Sequence, residues 1–179
     1  MRYFKKIQGE RIYLSPINPE DLELYTKWVN DPEVSVWIGL HQRLLSLTKE
    51  KEALENMAKN EDSFIFAIVA QDGDRLLGNI GLHDISRNAR HGTLGIFIGE
   101  AEDRSKGYGA EAIRLLLGYA FRTLNLHSVE LTVNSANARA IACYKKAGLK
   151  ECGRVRDACF VDGKYTDRVH MDILESEYA

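Results

Sequence analysis

The sequence predicts a mixed α/β fold, and three observations carry that reading. Segments 63–70, 76–85 and 93–100 are strand-like apolar runs separated by the turns "QDGDR" and "SRNARHG", which together read as a meander. A glycine-containing loop then opens a long amphipathic helix that leads into a further strand, a strand–helix–strand crossover. The chain closes on two alternating segments joined by "DG", the signal of a hairpin.

Each element has its own reason. "RIYLSPI" (11–17) is a short strand. In 18–31, Asn18 caps a helix and Pro19 takes its first position, where no N–H is needed. Leu22, Tyr25, Trp28 and Val29 then recur at helical spacing. "DPEVSVWIGLHQRLL" shows no period and reads as irregular, and 46–60 reads as a second, more polar helix. In 93–100, Leu94, Ile96 and Ile98 alternate with Gly95, Phe97 and Gly99. The helix after the loop gathers Ala112, Ile113, Leu116, Leu117, Ala120, Phe121 and Leu124 on one face. Strand 127–133 points Val129, Leu131 and Val133 one way. Segment 137–148 is a helix capped by Asn137 and ended by Gly148. The order is β-α-α-β-β-β-α-β-α-β-β.

With 179 residues, 45% of them apolar and 28% charged, the chain suits one soluble globular domain over 1–179. A net charge of −2, from 24 Lys and Arg against 26 Asp and Glu, argues against a nucleic-acid-coating surface and makes any anion site local. Cys143, Cys152 and Cys159 are odd in number and lack CxxC spacing. They argue against disulfides and zinc, and for reduced thiols in a cytoplasmic protein. The start, "MRYFKKIQGER", lacks the apolar core of a signal peptide, and no apolar run reaches membrane-span length. The expectation is a cytoplasmic protein without membrane, nucleic-acid or metal partners.

The segment with chemistry to explain is "RSKGYG" (104–109), at the junction of a strand and the long helix. A helix N-terminus offers free N–H groups and a positive dipole end. Gly107 and Gly109 permit close approach, and Arg104 and Lys106 add charge. The bland reading is a β-to-α turn with two solvated bases. There is no GxxxxGK[ST], so it is not a Walker A loop, and the third glycine and ribose acid of a dinucleotide site are missing.

A second constellation follows: "NSANARAIACYKKAGL", with Asn137, Ala140, Tyr144, Lys146, Gly148 and Leu149 at fixed spacing. Together with R-x-x-G-x-G, this resembles the GCN5-related N-acetyltransferase (GNAT) superfamily over nearly the whole chain. The tail "RVRDACFVDGKYTDRVHMDILESEY" and the segment "PINPEDLELYTKWVNDPEV" resemble the branch with ribosomal-protein N-terminal acetyltransferases and spermidine acetyltransferases. The resemblance implies the acyl-CoA N-acyltransferase fold, a central, mostly antiparallel sheet with about four helices. It also implies an enzyme moving acetyl from acetyl-CoA to an amine by direct attack in a ternary complex.

Carried over residue by residue, the resemblance implies that backbone amides of Arg104, Ser105, Lys106, Gly107, Tyr108 and Gly109 hold the pyrophosphate of acetyl-CoA. It implies that Ile96, Phe97 and Ile98 lie along the pantetheine arm, which Asn137 also contacts. As a residue, Asn137 is sufficiently explained as a helix cap, and the two roles are compatible. Tyr144 takes the general-acid position, where a phenol of pKa ~10 can protonate a departing thiolate. As a residue alone it is a core aromatic sharing a face with Ile141. Lys146 either adds charge near the phosphates or is solvated.

The resemblance leaves the general base open, because Thr132 stands where some relatives carry a carboxylate. An amine near pKa ~10 must lose a proton before it attacks. The candidates are Glu100, His83 and Asp84, or a water chain leading to one of them. Acyl-cysteine chemistry at Cys143 is rejected, since no His sits at a partnering position. The acceptor pocket falls to Trp28, Glu33, Trp37 and His41 with the hairpin residues Phe160 and Tyr165, although core packing explains either Trp equally well. The acceptor is a protein N-terminus or a small-molecule amine such as a polyamine. A non-catalytic acyl-CoA-binding module is the alternative, and an exposed hairpin is compatible with a homodimer.

Overall fold

Eight strands and five α-helices follow one another along residues 2–178, the part of the chain that the computed structural model describes. They are β1 (Ile7–Gln8), β2 (Ile12–Pro16), α1 (Leu22–Asn30), α2 (Pro32–Ser35), α3 (Leu47–Lys59), β3 (Phe64–Ala70), β4 (Leu76–Ser86) and β5 (His91–Ile98). After these come α4 (Tyr108–Arg122), β6 (Ser128–Asn134), α5 (Ala138–Lys146), β7 (Lys150–Val161) and β8 (Lys164–Leu174).

The strands form one sheet in the order β1-β2-β3-β4-β5-β6-β8-β7. Every pairing is antiparallel except β5 with β6. A parallel neighbour cannot be reached by a tight turn, so α4 makes the crossover between them. That pairing spans only His91–Thr93 against Ser128–Glu130. β5 stays bonded to β4 as far as Ile98, and β6 stays bonded to β8 along Ser128–Asn134. The sheet therefore splits between them.

Period-two alternation fills both faces. On one, Ile12, Phe66, Ile68, Ile80, Leu82 and Leu131 pack under Ile113, Leu116 and Leu117 of α4, with Ile141 and Tyr144 of α5 partly buried against them. On the other, Tyr13, Ala67, Val69 and Leu76 meet Tyr25 and Trp28 of α1 and Leu54 of α3. The predicted faces of the long helix and of strand 127–133 are the observed ones.

Two readings need correction. Residues 31–45 are not wholly irregular, because Asp31 caps α2 by accepting from the Glu33 N–H (2.9 Å) and Pro32 takes the first position. That makes five α-helices among the described residues where about four were expected; a helix of one turn is too short to show a period. The helix expected at 18–31 also begins as a 3₁₀ turn, Pro19–Asp21, which Asn18 caps (3.1 Å from Glu20 N). β1, two residues long, carries no pattern that could have announced it.

Two buried carboxylates fix the start of α4. Glu111 accepts from the backbone N–H of Arg11 (2.9 Å) and Ile12 (3.3 Å), tying the helix to β2. Asp103 is gripped by both terminal nitrogens of Arg75 on the β3–β4 turn, one of them at 2.9 Å. That guanidinium holds the Asp103 carboxyl below the usual range against the opposing effect of burial.

Candidate active site

The split opens into a cleft of about 1290 Å³ lined from both faces of the sheet. Gly99 N–H bonds Leu77 O (2.9 Å), and the register sets Phe97 opposite Asn79 and Gly95 opposite Gly81. Those residues spend their peptide groups on β4, so by alternation the N–H and C=O groups of Leu94, Ile96 and Ile98 face the split. Of the three predicted strand residues, Ile96 and Ile98 turn their backbone to the cleft. Phe97 does not, and its ring packs edge-on against Tyr25 (6.2 Å) and Trp28 (6.1 Å).

At the end of β5 the loop carries left-handed backbone at Ser105 (φ +62°) and Gly107 (φ +88°), the latter immediately before α4. Such alternation turns successive N–H groups toward one point, and no side chain caps the helix. Ser105, Lys106, Gly107 and Gly109 line the cleft. The Tyr108 ring instead turns to the rear under the Arg11 guanidinium (5.0 Å). Arg104 is not the mobile base expected. It is 9% exposed, bonds Gly99 O (2.6 Å) and Ile98 O (3.4 Å), and pairs with Glu33 (3.0 Å). It braces the loop against the strand end, while Lys106 has no ion-pair partner among the described residues.

Helix α5 forms the opposite wall. Asn137 Oδ1 accepts from Ala140 N (3.1 Å), so the predicted cap is present, and Asn137, Arg139, Ala140, Cys143, Tyr144 and Lys146 line the cleft. Desolvation pushes the Tyr144 phenol up to about 12, so it stays protonated at neutral pH. Burial also raises the Cys143 thiol, the opposite of what an activated nucleophile requires. A β-carbon on Gly109 would meet Cys143 Sγ at 3.4 Å, an ordinary contact distance, so α4 and α5 are packed closely there.

The base candidates separate in space. Glu100 accepts from Lys27 Nζ (2.6 Å) and Trp28 Nε1 (2.9 Å), which hold its carboxyl low, and it does not line the cleft. His83 does line it, with Nδ1 2.8 Å from Asp84 Oδ2. Asp84 sits at a break in the β4–β5 register with φ +50°, and that bulge swings its carboxylate back to the ring. Among the expected acceptor walls, Glu33, Trp37, His41 and Phe160 line the cleft; Trp28 is core, and Tyr165 stacks on Phe160 (4.9 Å). Tyr25, Glu50 and Asn79 line it as well.

A family model described as an acetyltransferase (GNAT) domain matches residues 11–150. The chain belongs to the GNAT family of N-acetyltransferases. A spermidine N(1)-acetyltransferase of Vibrio cholerae is 31% identical over 129 residues, 72% of this chain and 74% of that one. An N-acetyltransferase 9-like protein of Caenorhabditis briggsae is 28% identical over 155 residues, 81% of this chain and 77% of the other. A crystal structure of spermidine N-acetyltransferase from Vibrio cholerae in complex with CoA and spermine has a TM-score of 0.86 at 25% identity, covering 95% of this chain and 99% of that one.

In this GNAT chain several cleft residues escaped the sequence reading. Arg139 lies two positions after the Asn137 cap, where helix spacing could have flagged it. Arg11 and Arg75, which do not themselves line the cleft, are brought from distant segments to Glu111 and Asp103 beside the loop, and no local pattern announces such pairs. Among the described residues no group of three or more His, Cys, Asp or Glu is placed to hold a metal, the three cysteines are free, and no helix is long and apolar enough to cross a membrane.

Proposed function

We propose that the cleft binds acetyl-CoA and passes its acetyl group to the primary amine of a small molecule, by direct attack in a ternary complex. The observation that carries the reading is the split in the sheet. It leaves an unpaired β5 edge leading to an open helix N-terminus, with Tyr144 in the same cleft.

The residues fit the parts of that co-substrate. An extended amide chain can bond the Leu94–Ile98 edge as a further strand would. A pyrophosphate suits the convergent N–H groups of the loop, with Lys106, Arg139 and Lys146 as nearby cations. Acetyl-CoA supplies an activated thioester whose C–S bond breaks as the C–N bond to the amine forms.

His83 takes the amine's proton. Its Nδ1–H donates to Asp84, which leaves Nε2 as the accepting nitrogen. Glu100, committed to Lys27 and Trp28, serves as a structural anion. Tyr144 donates a hydrogen bond to the departing sulfur. With its phenol near 12 and a free thiol near ~8.5, complete transfer would be uphill by about 5 kcal/mol. The same dry surroundings that raise Cys143 narrow that gap. Positioning and polarisation of the carbonyl by β5 N–H groups supply the rest.

The CoA-bound spermidine acetyltransferase neighbour supports a small-molecule acceptor over a protein N-terminus. Three unpaired thiols suit a reducing, cytoplasmic compartment. The test is CoA release from acetyl-CoA across a panel of small amines and N-terminal peptides, with calorimetry of acetyl-CoA alone. Small amines should turn over faster. No acetyl-CoA binding at sub-millimolar concentration, or peptides outpacing every small amine, would overturn the reading.

A further inference from the structure

On the α1/α3 side of the cleft a carboxylate and a buried hydroxyl are left without partners at hydrogen-bonding geometry. Glu50, in the first turn of α3, is 5% exposed and lines the cleft, yet its carboxylate makes no hydrogen bond or ion pair among the described residues. Tyr25, from α1, is 1% exposed, and its hydroxyl meets no partner at hydrogen-bonding geometry. Asn79 of β4 stands beside that hydroxyl and lines the same space. Buried polar groups such as the Tyr25 hydroxyl are almost always satisfied, and a carboxylate at the wall of a cleft with no cation beside it is disfavoured.

The charges around this corner are spent elsewhere. Asp21, next to Tyr25, is neutralised by Arg2 and accepts from Tyr3 Oη (2.9 Å). Arg104 is taken by Glu33 (3.0 Å), and neither His41 nor Arg43 pairs with Glu50. Burial alone pushes the Glu50 carboxyl up, as expected where no cation offsets desolvation. Val29, Ala53, Met57 and Ile65 add apolar walls.

We infer that Glu50, with the Tyr25 hydroxyl and Asn79, forms a subsite for the second ammonium of an alkyl diamine or polyamine acceptor. The inference rests on the acetyl-transfer reading of the cleft and adds to it the class of amine. An ammonium on a methylene chain supplies the missing counter-ion to Glu50 and donors to Tyr25 and Asn79, while the chain lies along the apolar walls.

The test compares 1,4-diaminobutane and spermidine with 1-aminobutane as acceptors, in wild type and in Glu50→Gln, Glu50→Asp and Tyr25→Phe, alongside calorimetry of acetyl-CoA. Wild type should prefer the diamine over the monoamine by tenfold or more in kcat/KM. E50Q should raise the diamine KM by about 30-fold, leave its kcat and the acetyl-CoA affinity within about threefold, and erase the preference. E50D should restore part of it, and Y25F should lose less than E50Q. An unchanged diamine KM in E50Q, equal use of mono- and diamine by wild type, or no turnover of either with acetyl-CoA bound normally would each overturn the subsite and leave the cofactor site standing. Failure to bind acetyl-CoA would overturn both.

Discussion

Arg104 and Glu33 meet at 3.0 Å, joining the loop before α4 to helix α2 on the other side of the sheet. The two ends of that pair are unequal: Glu33 is 71% exposed, while Arg104 is 9% exposed and also bonds two backbone carbonyls. A half-solvated ion pair contributes little, whereas orphaned carbonyls at the end of β5 cost more. Glu33→Ala should therefore change stability by no more than about 0.5 kcal/mol, and Arg104→Ala should cost about 2 kcal/mol and raise the acetyl-CoA KM. Urea titrations of both variants, with acetyl-CoA kinetics, check the asymmetry. Equal losses would mean that the ion pair, not the carbonyl bracing, holds the loop.

Gly107 is the glycine that the loop requires. Its φ of +88° strains any side chain, and a β-carbon would stand 3.0 Å from Arg11 Nη2. Gly107→Ala should cost about 1–2 kcal/mol and weaken acetyl-CoA at least tenfold, while a CoA fragment without the pyrophosphate loses little. Calorimetry of the two ligands measures the difference.

Tyr144→Phe keeps the ring and its packing, so the unfolding midpoint and the acetyl-CoA KM should hold. Turnover should fall by about 10²-fold, the size of a lost proton donor. Wild-type kcat in this variant would leave the sulfur to be protonated by water.

His83→Gln should lower kcat by about 10²-fold. Asp84→Asn, acting only through the orientation of His83, should cost less than tenfold in kcat with both KM values unchanged. Asparagine tolerates the left-handed φ of +50° at this position, so the backbone persists. If D84N is the more damaging of the two, the carboxylate and not the ring handles the proton.

Asp103 links loop stability to acidity. Its folded pKa is lowered, first by the hydrogen bonds from Arg75, so it stabilises the fold fully above the unfolded value of ~3.9. That contribution is lost as pH falls through the depressed folded value. Asp103→Asn should cost about 2 kcal/mol at pH 7 and progressively less below pH ~4. Unfolding midpoints of the two proteins should therefore converge on acidification; parallel curves would contradict the pair.

The local signals in the chain transferred well to the fold. The faces of α4 and β6, the Asn137 cap and the glycine turn all follow from spacing, because a period or a cap is a property of neighbouring residues. The site was less legible. Arg104 read as a base free for the phosphates and Glu100 as a candidate general base, and both are tied down by Glu33, Lys27 and Trp28 from other elements. Glu50 lies in a helix that read only as polar, and it is buried at the cleft.

By itself, the sequence determined the order of every strand and α-helix except β1 and α2, together with the R-x-x-G-x-G turn and the Tyr144 helix, since each depends on hydrogen bonds and packing within a short stretch. Only the tertiary structure decided that β5 and β6 part after Thr93 and Glu130, and which charges remain unspent at the cleft. The reason is physical: a charge is free or bound according to partners brought from remote segments, and those distances exist only once the sheet has closed around them.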